Sequence, residues 1–381
     1  MKTIPFSELF DFQKKSKIKA GDGLSLYKGI YPFYTSSNEL TKSINEYLFD
    51  KPGLVFGTGG NASIHYANSK FAVSTDCLVA TPKDEKEIFP KFVYYFLSGN
   101  IHILKEGFKG AGLKHISKDY ISRIPVPFLK LETQKKIAEI LDAADELRKK
   151  TQQIIEHYDQ LAQSIFLDMF GDPVSNPKGW KKKKLGEITN KIGSGATPTG
   201  GKESYISDGI SLVRSLNIYD GYFSYKDLAH ITEEQADKLR NVILEFNDVL
   251  LNITGASVCR CSIVPEEVLP ARVNQHVSII RTKKDVVNPL FLCYLLISKN
   301  VKKQLLYIAS KGGATREALT KEDIEKYKII VPPVEFQNQF AEKIELIERQ
   351  KELTKQSLQQ SDDLFNALLQ RAFKGELTEL K

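Results

Sequence analysis

The chain has 381 residues, 41 % hydrophobic and 27 % charged, with a formal net charge of +7. That length suits two domains with connectors better than one core. No run of about 18 apolar residues is present, which argues against a membrane-spanning helix, and Met1-Lys2-Thr3-Ile4-Pro5-Phe6 lacks the basic-then-apolar pattern of a signal peptide.

Taken in chain order, the first 130 residues read as a mixed α/β globule. Strand-like runs at Gly53–Phe56 and Phe71–Val79 sit among Gly- and Ser-rich loops. From Leu131 to Phe170 there is no Pro or Gly, and Ile137, Leu141, Ala144, Ile155, Tyr158, Ala162, Ile165 and Met169 recur at three- and four-residue steps. The spacing predicts one long helix stopped by Gly171-Asp172-Pro173, with a seam interrupted at Arg148 and Thr151. A second globule follows, with strand-like runs at Val242–Ile253 and His276–Ile280. After Pro332-Pro333, a second helical run carries Phe340, Ile344, Ile347, Leu358, Phe365 and Leu368 and ends at Gly375. Each helix would be about 60 Å long at 1.5 Å per residue. Two rods of that length with one apolar stripe each pair most economically as an antiparallel coiled coil.

The two halves are copies. At an ungapped offset of 203 residues, Gly110-Ala111 matches Gly313-Ala314, Ile121 matches Ile324, and Glu132 and Gln134 match Glu335 and Gln337. Ala138-Glu139 matches Ala341-Glu342, and Asp159, Leu161 and Phe170 match Asp362, Leu364 and Phe373. Charge follows the same division. Residues 1–130 and 172–333 each carry +6, whereas the helical segments 131–171 and 334–381 carry −3 and −2. A polyanion is therefore expected to meet the globules and not the rods.

Several strings fit this layout. The second globule opens Gly179-Trp180-Lys181-Lys182-Lys183-Lys184-Leu185-Gly186-Glu187-Ile188, followed by Gly195-Ala196-Thr197-Pro198. The first carries Gly29-Ile30-Tyr31-Pro32-Phe33-Tyr34-Thr35-Ser36-Ser37 but lacks the Gly-Trp opening. Together with Asn274-Gln275-His276-Val277 and Ile329-Ile330-Val331-Pro332-Pro333, this ordered set resembles the specificity subunits of type I restriction–modification enzymes over essentially the whole chain. The resemblance implies an α+β protein: two α/β target recognition domains joined by two long helices forming an antiparallel coiled coil, a pseudo-two-fold repeat. The expected boundaries are 1–130 and 172–333 for the recognition domains, and 131–171 and 334–381 for the spacer helices. It also implies a cytoplasmic, non-catalytic subunit that recognises a bipartite double-stranded DNA target. Its implied partners are two methyltransferase subunits and motor–nuclease subunits, with no membrane and no cofactor.

Motifs of chemistry are sparse. Val55-Phe56-Gly57-Thr58-Gly59-Gly60 lacks both the methyl-donor and the P-loop spacing, and reads as a tight turn offering N–H groups to a phosphate. Val331-Pro332-Pro333-Val334 is a helix entry and not a methyltransferase tetrapeptide. Cys77, Cys259, Cys261 and Cys293 do not form a zinc pattern and read as reduced thiols. The six histidines lack paired partners. The Lys181–Lys184 run is either a solvated strand edge or a phosphate contact. Candidate DNA contacts are the loops Phe108–His115, with Lys109, Lys114 and His115, and Lys311–Arg316, with Lys311, Thr315 and Arg316. Arg214, Ser215 and Asn217 form a third set. Asn274 and Gln275 offer amides suited to adenine edges. Two other readings stand beside this one: a self-contained DNA methyltransferase or nuclease, which the missing motifs disfavour, and a coiled-coil assembly adaptor, which the basic globules disfavour.

Overall fold

The computed structural model describes residues 2–110, 112–198, 200–311 and 317–378. It forms two compact units, Met1–Gln153 with Thr354–Lys381, and Ile154–Leu353. Each unit thus takes one globule and half of each long helix.

In the first unit, β1 (Thr3–Pro5), β2 (Phe10–Phe12), β3 (Tyr31–Tyr34), β4 (Gly53–Gly57), β5 (Ser63–Ala67), β6 (Ala72–Val73) and β7 (Cys77–Pro82) precede helix α1 (Pro90–Gly99). The main sheet has the order β2-β7-β4-β5 and is antiparallel throughout. Strand β4 is buried along its whole length. Because successive strand side chains point to opposite faces, Leu54 and Phe56 enter a core with Phe6, Phe92 and Ile137, while Val55 enters a second core with Tyr34, Phe71 and Val79. A smaller layer pairs β3 with β6 in parallel, Phe33 opposite Ala72. Strand β8 (Pro125–Pro127) closes on β1. Its prolines are tolerated because the pair is an isolated edge ribbon. Helix α2 (Leu131–Phe170) follows.

The second unit repeats the plan. It contains β9 (Lys182–Lys184), β10 (Thr189–Ser194), β11 (Ile210–Val213), β12 (Val249–Asn252), β13 (Cys261–Ile263), β14 (Ala271–Val273) and β15 (Val277–Thr282). Helices α3 (Pro289–Ile297) and α4 (Lys299–Ser310), strand β16 (Lys328–Ile330) and helix α5 (Val334–Lys374) complete it. The sheet order β10-β15-β12-β13 has the connectivity of β2-β7-β4-β5, the β11–β14 pair is parallel like β3–β6, and β9 pairs with β16 as β1 does with β8. Val249 and Leu251 face one core and Leu250 the other. Asn288 caps α3 by accepting from the N–H groups of Leu290 and Phe291, with Pro289 in the first turn.

A buried glutamine ties each globule to its helix. Gln134 Oε1 accepts from Phe89 N at 2.8 Å, and its amide donates to the carbonyls of Glu87 and Leu129. Gln337, 203 residues later, accepts from Asn288 N at 2.9 Å and donates to Val286 and Pro332. The repeat in sequence is therefore a repeat of hydrogen bonding.

The helices have 40 and 41 residues and end at Gly171 and Gly375, whose φ values of +74° and +88° suit a glycine terminator. In the first unit α2 runs against α5 with Arg148 Nε 3.6 Å from Asp362 and its guanidinium over Phe365. In the second, Lys351 pairs with Asp159, and Phe170 packs edge-on to Phe340. Arg148 with Asp362, Asp159 with Lys351, and Phe170 with Phe340 add to one residue-number total, so the antiparallel register found in one unit is also found in the other. The interruption expected at Arg148 and Thr151 is a polar seam: Thr151, Lys351 and Ser361 are buried. Thr151 and Ser361 return their hydroxyls to carbonyls one turn back, and Lys351 is neutralised by Asp159 and Glu348.

Two strand expectations need correction. Val242–Ile253 is not one strand. A 3-10 turn covers Arg240–Val242, Ile243 makes only an isolated bridge to Arg272, Asn247 takes a left-handed φ of +70°, and Asp248 accepts from Glu245 N, so strand β12 starts at Val249. Phe71–Val79 likewise splits at Ser74-Thr75-Asp76 into β6 and β7, which serve different sheets.

Candidate nucleic-acid interface

In the first globule, Lys109 and His115 exchange backbone hydrogen bonds at 3.0 Å each, closing a loop with Gly110 at φ +145°. Lys109, Lys114 and His115 are exposed. The His115 ring lies 3.1 Å from the Thr58 carbonyl, and Ile116 N donates to the same oxygen, which binds the loop to the Gly57–Gly60 turn. Beside it opens a cleft of about 710 Å³ whose lining includes Lys109, His115, Tyr120 and Arg123. The Thr58 N–H is already engaged by the Asp76 carbonyl at 2.8 Å, so this turn does not offer that donor to a phosphate as the sequence suggested.

The matching place in the second globule is the segment after α4. Lys311 is exposed, its ammonium 4.4 Å from the Tyr307 ring centroid. Thr315 and Arg316 lie outside the described residues. Beyond them Ala318, the counterpart of His115, bridges Thr254, and Leu319 N donates to the Ile253 carbonyl at 2.8 Å. Ala318 and Leu319 therefore meet the second sheet where His115 and Ile116 meet the first.

Next to this segment is a cleft of about 660 Å³ formed by Ser215, Tyr219, Ser257, Arg260, His276 and Glu317, among others. The His276 ring meets the Thr254 hydroxyl at 2.6 Å. Gln275 is exposed and accepts from the Thr197 hydroxyl.

Three of the remaining candidates have structural duties. Asn217 is fully buried: Oδ1 accepts from Arg214 N, and Nδ2 donates to the carbonyls of Ser224 and Lys226. An amide so engaged cannot also present its donor–acceptor pair to a base, so the Asn217 side chain, expected from the sequence among the DNA contacts, is occupied within the fold. Asn274 is buried and its carbonyl oxygen caps the turn by accepting from His276 N at 3.0 Å. That bond holds the turn that carries His276, which lines the cleft. Arg214 donates to the Asp227 carbonyl and lies over Tyr205. Lys182–Lys184 form the exposed β9 strand, as a solvated edge would. Sequence reading did not single out Arg260, which lines the cleft of the second globule. It stands alone in Cys259-Arg260-Cys261, with no periodicity or basic run to mark it.

All four cysteines are buried, and burial pushes the Cys77 thiol up to about 11 and the Cys259 thiol up to about 12. Among the described residues no group of His, Cys, Asp and Glu is placed to hold a metal ion, and no helix is long and apolar enough to cross a membrane.

Two units of one topology, each with a cleft beside the equivalent sheet exit and each with a pair of antiparallel helical segments, define an internally duplicated recognition protein. The chain belongs to the family of type I restriction modification DNA specificity domains, which matches residues 1–157 and 177–360. It is 23 % identical over 372 residues to the type I restriction enzyme MjaVIII specificity subunit of Methanocaldococcus jannaschii, covering 92 % of this chain and 87 % of that protein. It is 24 % identical over 357 residues to the type I restriction enzyme EcoBI specificity subunit of Escherichia coli, covering 85 % and 73 %. In fold it is similar to the type I restriction–modification S subunit from M. genitalium, with a TM-score of 0.62, 16 % identity and coverage of 97 % and 95 %. A chain from a study of complex assembly and conformational transition of the type I R-M system gives a TM-score of 0.55 at 16 % identity, covering 98 % of each.

Proposed function

We propose that this chain is the DNA sequence-specificity subunit of a type I restriction–modification complex, acting in the cytoplasm without a catalytic centre of its own. The observation that carries this reading is the duplication itself: the family match falls on both halves, and both globules are basic while the helices between them are acidic. Residues 1–130 and 172–333 each read one half of a bipartite DNA target, and 131–171 and 334–381 set the spacing. Exposed Leu147 and Leu364 in one unit, and Ile154, Leu161, Leu346 and Leu353 in the other, leave apolar helix surface for two methyltransferase subunits. Motor–nuclease subunits then join for restriction.

The test is the methylated motif of cells carrying the complete complex, which should be two short half-sites separated by a fixed gap. The purified chain alone should neither methylate nor cleave DNA. In this reading the exposed Lys109, Lys114 and Lys311 contact phosphate, and His115 and Gln275 are further candidates; Thr315 and Arg316, from the same sequence reading, lie outside the described residues. Replacing Lys109 and Lys311 by Ala should weaken binding to all sequences alike and flatten the salt dependence by about one unit of slope per lost phosphate contact. An unchanged slope would remove these loops from the DNA face.

A further inference from the structure

We infer that Arg260 is a base-reading residue of the second globule and that it reads guanine. This rests on the proposed DNA-specificity role and names the chemistry of one of its two sites.

Among the described residues, Arg214 donates to the Asp227 carbonyl, Arg240 pairs with Asp237, Arg272 donates to the carbonyls of Ala236 and Ala271, and Arg281 is held by Asp248 and Glu245. The Arg260 guanidinium has no hydrogen bond or ion pair to any described residue. It lies with its central carbon 4.7 Å from the centroid of the Tyr219 ring, and Tyr219 is itself stacked on Tyr222 at 4.8 Å with 9° between the planes.

The backbone of Arg260 is fixed from both sides. Its N–H donates to the Ser257 carbonyl at 3.1 Å, and its carbonyl accepts from Asn252 N at 2.8 Å. The preceding Cys259 has φ +66°, an uncommon backbone for a non-glycine residue, and is held there by its bond to Asn252. Strand β13 begins one residue later. Main chain and ring platform therefore both restrain a half-exposed side chain that lines the cleft beside Ser215, Ser257, His276 and Glu317.

A phosphate contact asks for positive charge and tolerates a mobile chain, as the exposed lysines supply. A guanidinium held against an aromatic ring keeps its plane and presents a fork of N–H donors. That fork matches the two acceptors, N7 and O6, that guanine alone places side by side in the major groove. In the equivalent stretch of the first globule, Ser63 starts β5 and its hydroxyl is turned to the Ser36 carbonyl. The first globule thus lacks this reader, and the guanine belongs to one half-site only.

The experiment uses the complete complex and compares the wild type with Arg260→Ala and Arg260→Lys. Methylated-motif sequencing in cells is combined with binding of the purified complexes to a panel of targets substituted at each half-site position. The wild-type motif should contain a guanine in one half-site at which Arg260→Ala accepts any base. The other half-site and the gap should stay unchanged, and affinity for the guanine target should fall roughly tenfold to a hundredfold. Arg260→Lys keeps the charge without the fork and should relax the same position. It asks the same question if the alanine variant unfolds at a lower temperature. Uniform weakening on every target, with the motif intact and the salt slope reduced by about one, would make Arg260 a phosphate contact and overturn the inference. So would an unchanged motif in both variants. A wild-type complex with no bipartite motif would instead overturn the proposed function, a result visible before any variant is examined.

Discussion

Gln134 and Gln337 show how a single residue holds the architecture. Each is fully buried and satisfies one N–H and two carbonyls at the junction of globule and helix. Gln337→Ala should lower the unfolding free energy of the second unit by about 3 kcal/mol, because it leaves buried polar groups without partners. Urea titration measures this, and a loss below about 1 kcal/mol would mean that water replaces the amide. His65 makes a pH-dependent contribution. Burial pushes its imidazole below the ordinary value, opposed by its 2.7 Å contact with the Ser37 carbonyl. Between the lowered folded value and the unfolded value near 6.5, the unfolded chain binds more protons. Stability is therefore full above about pH 6.5 and is lost as the pH falls through that window. Comparing wild type with His65→Gln between pH 7.5 and 5.5 should show a shallower decline in the variant. Parallel profiles would assign the acid sensitivity to other groups.

At the scale of elements, the two long helices share one register, set where Arg148 faces Asp362 and Asp159 faces Lys351. A buried lysine at the seam is weak support for stability and good support for register, since a slip would strand its charge. If these helices are the ruler, readers facing successive major grooves leave a gap of roughly 5 to 8 base pairs. Four residues inserted near Thr151 add about one turn, about 6 Å. Inserted in α2 alone, they should lengthen the recognised gap by about one base pair, because the unaltered partner helix absorbs part of the shift. A matched insertion opposite, near Gln359, keeps the register in both units and should lengthen it by about two, at about 3.4 Å per base pair. The methylated motif of each mutant reads the gap. Altered half-site bases with a fixed gap would show that the helices are not the ruler.

For the whole molecule, the two clefts belong to separate compact units, each with its own cores. Substitutions in one should therefore leave the other's half-site untouched. The effects of His115→Ala and Arg260→Ala on target affinity should add to within about 0.5 kcal/mol in the double variant. A larger coupling would mean that the readers are not independent. Duplication, the long helices, the basic globules and the family were all legible in the sequence, because each is a property of order along the chain: a fixed offset, a 3.6-residue period, a run without Gly or Pro, a local excess of Lys. What only the tertiary structure decided is which polar side chains remain free. Asn217 and Asn274 have amides suited to base edges, yet the turns around them fold back: Asn217 is engaged by Arg214, Ser224 and Lys226, and the Asn274 side-chain oxygen by His276 N. Arg260 has no local signature, yet a left-handed residue before it and the Tyr219 ring, 41 positions earlier in the chain, hold its guanidinium in a cleft. Availability for binding is what remains after internal hydrogen bonds have formed, and those partners are assembled by the fold.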